Sequence, residues 1–392
     1  MSVVAEPVAA QRARLESVDV VRGVIMVVMA LDHTRDFFGY PGSPTNLATA
    51  SIALFFTRWI TNICAPVFFL LTGTGAFLSL RKRSKRELSR FLFTRGLWLI
   101  CLELVLFRCF ILQFNFDYHT TVITVLWALG WAMIVLSALI YLPTSVVTAF
   151  GIVLIATHNL FDAVQSANPI WSILHSPNII FSTPGHIVFV AYPLIPWIGV
   201  TAAGYGLGQI YAWPSARRCT FLLRLGLCLT AGFLILRAIN IYGDPSRWST
   251  QPTTIYTVLS FLNTTKYPPS LLFLLMTLGP ALLLLWAVDE HTPTLLRPAL
   301  IIGKVPLFYY LLHFFFIHLL AVVVSYIRFS QIQNMFHSPD LANFPATFPP
   351  GWGFRLPLVY LTWACIVIAV YPFCRWYAAL KQRSNNPWLS FL

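Results

Sequence analysis

Residues 18–38 form an apolar stretch interrupted by six ionisable side chains: Asp19, Arg22, Asp32, His33, Arg35 and Asp36. On insertion scales a charged group costs about 2.5–3.5 kcal/mol in a membrane helix, so such side chains turn toward a protein interior or a wet cavity. A helix winds about 100° per residue; with Arg22 as origin, His33 falls at about +20°, Asp19 at about +60° and Asp36 at about −40°, making one polar stripe. Asp32, at about −80°, sits on its edge within i,i+3 reach of Arg35, which itself points away toward a structural partner. Arg22 and His33 are eleven residues apart, about 16 Å of helix. An imidazole flanked by carboxylates can move a proton near neutral pH. The competing reading is a set of purely structural pairs.

More polar groups recur near the ends of other apolar runs: Arg58 and Asn62 one turn apart, His158, Asn159 and Asp162, then His186, Lys266 and His318. His158 and Asp162 have the i,i+4 spacing at which a carboxylate holds an imidazole tautomer. Metal ligation is the first alternative use of the histidines. No HxxxH or HExxH is present, and His313 and His318 point about 140° apart on a helix. A zinc site would need ligands from three helices, so no metal is expected. Bis-histidine haem ligation has no CxxCH or paired-His pattern behind it.

The elements that must position these groups follow from composition. Of 392 residues 58% are hydrophobic and 10% charged, which excludes soluble, disordered and coiled-coil classes and points to a membrane protein. Twenty-six Lys+Arg against 13 Asp+Glu give +13, but the basic residues cluster between apolar runs, above all Arg81, Lys82, Arg83, Lys85 and Arg86, so nucleic acid is not an expected partner. The seven cysteines lie in apolar runs without a CxxC pair, as small buried hydrophobes. A removable signal peptide is not expected, because the first apolar run carries charges and no small-residue cleavage site follows.

A span needs about 20 apolar residues. Ten runs qualify, near 18–38, 52–80, 91–113, 121–142, 144–164, 186–212, 219–240, 269–288, 299–327 and 356–379. The expected fold is therefore an all-α polytopic bundle of about ten transmembrane helices. It comprises a tail at 1–17, one membrane domain at 18–380 and a second tail at 381–392. With both termini cytoplasmic, thirteen Lys and Arg fall inside (Arg12, Arg14, Arg90, Arg217, Arg218, Arg297, Lys381 and Arg383 besides Arg81–Arg86) against Arg247, Lys266, Arg328 and Arg355 outside, the positive-inside pattern. The longer outer loops, 39–50, 165–185, 241–268 and 328–354, read as irregular. Small residues four apart in Gly199–Gly208 suit close helix contact.

The stretch Arg14-Leu-Glu-Ser-Val-Asp19-Val-Val-Arg22-Gly23, followed by Ala30-Leu-Asp32-His33-Thr-Arg35-Asp36, resembles the opening of the heparan-alpha-glucosaminide N-acetyltransferase catalytic-domain family, especially its short bacterial members. Similar stretches are Phe56-Thr-Arg58-Trp-Ile-Thr-Asn62, His158-Asn159-Leu-Phe-Asp162, Tyr192-Pro-Leu-Ile-Pro196, Lys266-Tyr-Pro-Pro-Ser270 and Gly303-Lys304-Val-Pro306-Leu-Phe-Tyr-Tyr-Leu-Leu-His313. The resemblance implies a transmembrane acyltransferase in a bacterial cytoplasmic membrane. It would take acetyl-CoA as co-substrate from the cytosol and acetylate an amino or hydroxyl group, typically of a sugar, on the far side. His33 matches a position where the animal enzyme has an asparagine. That enzyme's histidine in the loop after the first helix has no counterpart, since residues 39–50 contain no His.

Attack on a thioester needs a base for the acceptor's proton and donors for the oxyanion. His33 is the expected base, Asp36 or Asp32 its orienting carboxylate, and Asn62 or Arg58 the donor; an acetyl-histidine intermediate stays open. His158, Asn159, Asp162, His186, Lys266 and His318 are expected on the acceptor side. Arg22, Arg81, Lys82, Arg83, Lys85 and Arg86 are expected on the CoA phosphates, with lipid headgroup contact as the other use of the basic cluster. A transporter or channel is the rival reading, since polar stripes also line translocation paths. A homodimer is left open.

Overall fold

A computed structural model describes residues 8–384 apart from 165, 340 and 342–344, together with 386 and 389; for 8–15 it describes the backbone alone. Residues 1–7 and most of 385–392, and the side chains of Arg12 and Arg14, lie outside the described residues. The protein is 70% helix, because backbone groups with no water to pair with must pair within their own segment.

Each apolar run holds a helix. In chain order these are α1 (Val8–Phe38), α2 (Ile52–Thr61), α3 (Cys64–Ser79), α4 (Lys85–Cys101), α5 (Val125–Leu139), α6 (Thr144–Thr157), α7 (Pro169–Leu174), α8 (Leu194–Leu207), α9 (Ser215–Ile239), α10 (Thr254–Leu262), α11 (Leu271–Ala287), α12 (Arg297–Lys304), α13 (Pro306–Phe329) and α14 (Leu356–Arg383). Among the described residues, five segments are long and apolar enough to cross a membrane: Ile52–Ser79, Thr144–Phe161, Ser215–Ile239, Pro306–Phe329 and Leu356–Arg383. Val125–Leu139 and Leu271–Ala287 are apolar but shorter. The Ser215–Ile239 window is only 17% buried within the protein, so Leu227, Leu234 and Ile235 are left bare for acyl chains.

Two runs are broken by proline. Pro66 has no N–H for the carbonyl four residues back, and the chain turns at Asn62 and Ile63 between α2 and α3. Pro306 pushes Val305 out of helical geometry, to φ −133° and ψ 50°, separating α12 from α13. α4 continues through π turns over Leu102–Leu112.

The all-α expectation needs a correction. A three-stranded sheet forms from β1 (Thr120–Ile123), β2 (Asn178–Thr183) and β3 (His186–Val190), in the order β1-β3-β2, with β1 parallel and β2 antiparallel to β3. Its strands occupy part of a loop read as irregular and the leading edges of two runs read as helix. His186 accordingly opens β3 rather than a helix.

α1 is the central post, packed against α2, α3, α11, α12, α13 and α14. Its contact with α12 is backbone on backbone: a Cβ at Gly303 would lie 1.8 Å from the Asp19 carbonyl oxygen, and one at Gly23 1.8 Å from that of Ala299. The glycines of α8 serve as expected, with Gly204 set against Leu70 of α3 and Gly199 against Gly151 of α6.

Candidate active site

At the carboxyl end of α1 the stripe borders a cavity of about 260 Å³. α1 supplies Asp32, His33, Arg35 and Asp36; the α2–α3 break supplies Arg58 and Cys64; the chain after α10 supplies Lys266 and Tyr267; Tyr192 and, from α13, Tyr310 and Phe314 complete much of the wall. The segment carrying Lys266 is held by Arg237, whose guanidinium donates to the carbonyls of Ser246, Ser260, Phe261 and Asn263 at 2.8–3.1 Å. Asp244 adds to this by accepting from Thr265 and Ser270.

Asp32 bridges two guanidiniums: Arg35 donates at 2.8 Å, and Arg58 donates to its other oxygen. Arg35 also donates to Asp36 at 2.6 Å. The expectation that Arg35 points away is thus corrected; it folds back over both neighbouring carboxylates and lines the cavity. His33 Nδ1 stands 3.8 Å from Asp36 Oδ2, an ion-pair separation rather than a hydrogen bond. Its ring packs on Phe314, with centroids 3.9 Å apart, and lies 5.5 Å from the ring of His313. Arg35, Arg58 and Lys266 against Asp32 and Asp36 leave one net positive charge around a cavity whose wall includes seven Phe and Tyr side chains. Such a site favours charge that develops negative on a bound group.

Other expected residues lie elsewhere. Asn62 is buried at the end of α2 but does not line the cavity. His318 sits between the carbonyls of Ile111 and Met335 at 3.1 and 3.2 Å and stacks on Phe114. His186 is exposed, its Nδ1 3.1 Å from the Tyr118 carbonyl. Asn159 accepts the Leu271 N–H and donates to Asp162, both at 2.8 Å. The expected His158–Asp162 pair is replaced by Asp162 facing His175 at 3.6 Å, because a short 3-10 turn over His158–Phe161 breaks the α-helical spacing. Of the acceptor-side group, Lys266 alone reaches the cavity wall.

At the amino end of the stripe Arg22 donates to Asp19 at 2.7 Å and to the Gly303 carbonyl at 3.3 Å. Around it the fold gathers Arg95 of α4 and Lys381 of α14, both within electrostatic reach of Arg22, and Lys304 of α12, within reach of Asp19. Sequence reasoning did not bring these three together, because they lie on three separate segments of the chain. In the Arg81–Arg86 segment, Arg81 donates to the Tyr211 carbonyl at 2.8 Å and Arg83 lies over Phe91. Ser84 and Glu87 cap α4 reciprocally.

The family described as heparan-alpha-glucosaminide N-acetyltransferase, catalytic, matches residues 14–237, more than half of the 392 residues. The chain belongs to that family. It is therefore a membrane protein of an acyltransferase family. No curated protein matches the chain. The match takes in the α1 stripe, Arg58, Arg95 and the clamp Arg237, whereas Lys266, Tyr267, Tyr310 and Phe314 come from beyond it.

Proposed function

We propose that this family member transfers an acetyl group from acetyl-CoA to an amino or hydroxyl group of an acceptor, a sugar or similar small molecule, seated in the cavity at the end of α1. What carries the reading is the position of His33. It is an imidazole on the wall of an aromatic cavity with Asp36, Arg58 and Lys266 around it, on the same helix face as Arg22 about 16 Å away.

His33 accepts the proton of the attacking N–H or O–H as the heteroatom bonds to the thioester carbonyl carbon. Lys266 and Arg58 stabilise the oxyanion, and the C–S bond breaks. The departing thiolate then takes the proton from the imidazolium. Asp36 supports that cation across 3.8 Å. Arg22, Arg95, Lys304 and Lys381 meet the CoA phosphates, and the span between the two ends of the stripe is comparable with an extended pantetheine arm. On this reading the amino end of α1 faces the compartment that holds acetyl-CoA and the cavity serves the opposite side.

The test is transfer from labelled acetyl-CoA to a panel of amino sugars by purified protein in nanodiscs. The wild type is expected to acetylate and His33→Ala to lose turnover; equal turnover in the two would remove His33 from this role.

A further inference from the structure

Near the end of α6, outside the cavity wall, two histidines and an aspartate converge. Ligand atoms of His158, Asp162 and His175 all lie within 4.8 Å of one another. Both histidines are 1% exposed. Neither ring nitrogen of His158 has a hydrogen-bond partner, and Nδ1 of His175 has none; Pro269 approaches the His158 ring without forming a well-aligned bond. A buried imidazole in a structural network spends its nitrogens on partners, so three unpartnered ring nitrogens in one cluster with a carboxylate call for a different occupant.

Two further contacts fit a ligating set. Nε2 of His175 donates to the His158 carbonyl at 2.8 Å, which fixes the tautomer with its lone pair on Nδ1, the outer-sphere hydrogen bond that ligating histidines make. Asp162 is oriented by Asn159, which donates to one of its oxygens at 2.8 Å. The other oxygen stands 3.6 Å from the His175 ring, too far for a hydrogen bond. Trp171 stacks on His175 with centroids 5.0 Å apart and holds the ring in place.

We infer that His158, His175 and Asp162 bind one divalent cation of the zinc class, with a fourth position open to water past the part-exposed Asp162. Two imidazoles and a carboxylate are a ligand set that zinc takes, at about 2.0–2.2 Å. The ion would join the end of α6 to the segment after α7. It would also brace the strap that carries Lys266, since Pro269 touches His158 and Asn159 holds Leu271. This inference does not depend on the transfer reaction.

The experiment uses full-length protein without a histidine tag, stripped with chelator and titrated with Co²⁺ as a spectroscopic stand-in. One equivalent should produce the visible absorption of four-coordinate Co²⁺, bleached by Zn²⁺, and Zn²⁺ should raise the unfolding temperature. His175→Gln and His158→Ala should abolish the band, and Asp162→Asn should weaken binding at least about tenfold. His186→Ala should leave binding unchanged. Absence of saturable one-equivalent binding in the wild type overturns the site, as does a band that survives both histidine substitutions. Should His158→Ala fail to fold, the part-exposed Asp162→Asn decides, and unaltered affinity there also overturns it.

Discussion

Two of the molecule's arginine–aspartate clusters use the same chemistry in different settings. Arg218 donates to Asp289 at 2.8 Å, with side chains 1% and 0% exposed, and Ser17 and the Trp213 carbonyl complete a sealed knot joining α9, the end of α11 and α1. Around Asp32 the same chemistry, with Arg35 and Arg58, borders an open cavity and leaves a positive excess. Both satisfy the demand that buried charge be paired. The site is therefore distinguished not by charge in an apolar setting but by charge beside space, with an imidazole at the edge.

The largest effect that sharpens this contrast is expected at His33. Replacing it with alanine should lower acetyl transfer about 10²–10⁴-fold, the usual contribution of a general base, with little change in unfolding temperature; a matching stability loss would place His33 with the sealed knot instead. Next, Asp289→Ala should cost about 3–5 kcal/mol of stability by stranding a buried guanidinium. Activity per folded molecule should be retained, and the double change Arg218→Met with Asp289→Leu should recover most of the loss in thermal unfolding. Changed kinetics in the folded double variant would break the distinction between the two clusters.

Third, Lys304→Ala combined with Lys381→Ala should raise the KM for acetyl-CoA about tenfold, or about 1.4 kcal/mol, at constant kcat, with a loss that shrinks at high salt. Neutralising Lys82 and Arg86 should change KM by about twofold or less, as exposed charges do; the reverse order would return the CoA site to the basic segment. The smallest effect is expected at Asp36→Asn. Its 35% exposure screens the pair with His33, so kcat should fall about fivefold or less, measured in the same transfer assay.

Much of the stripe is legible from spacing alone. Asp19 and Arg22 meet, and His33, Asp36 and Asp32 share one wall, because helical period is a local property. What the period cannot supply is a partner's position. Arg35 folds back because Asp32 and Asp36 together outbid any distant acceptor, and His158 loses Asp162 to His175, seventeen residues on from His158. The sheet escaped notice since Thr120–Ile123 and His186–Val190 run straight into apolar helices, and apolar content does not separate a strand from the start of a helix. The grouping of Arg95, Lys304 and Lys381 around Arg22 is a product of tertiary packing among four helices and has no signature on any one of them.

The close approach of two main chains at Gly23 and Gly303 has a mechanical consequence. Where Gly23 and Gly303 let one main chain rest on the other, no rotamer can yield and no layer can shear, so the post carrying His33 stays fixed in register with Lys304. On the proposed function, admission of an acceptor falls to the opposite rim, where Lys266 and Tyr267 ride on a segment held by Arg237's grip on four carbonyls and by Asp244.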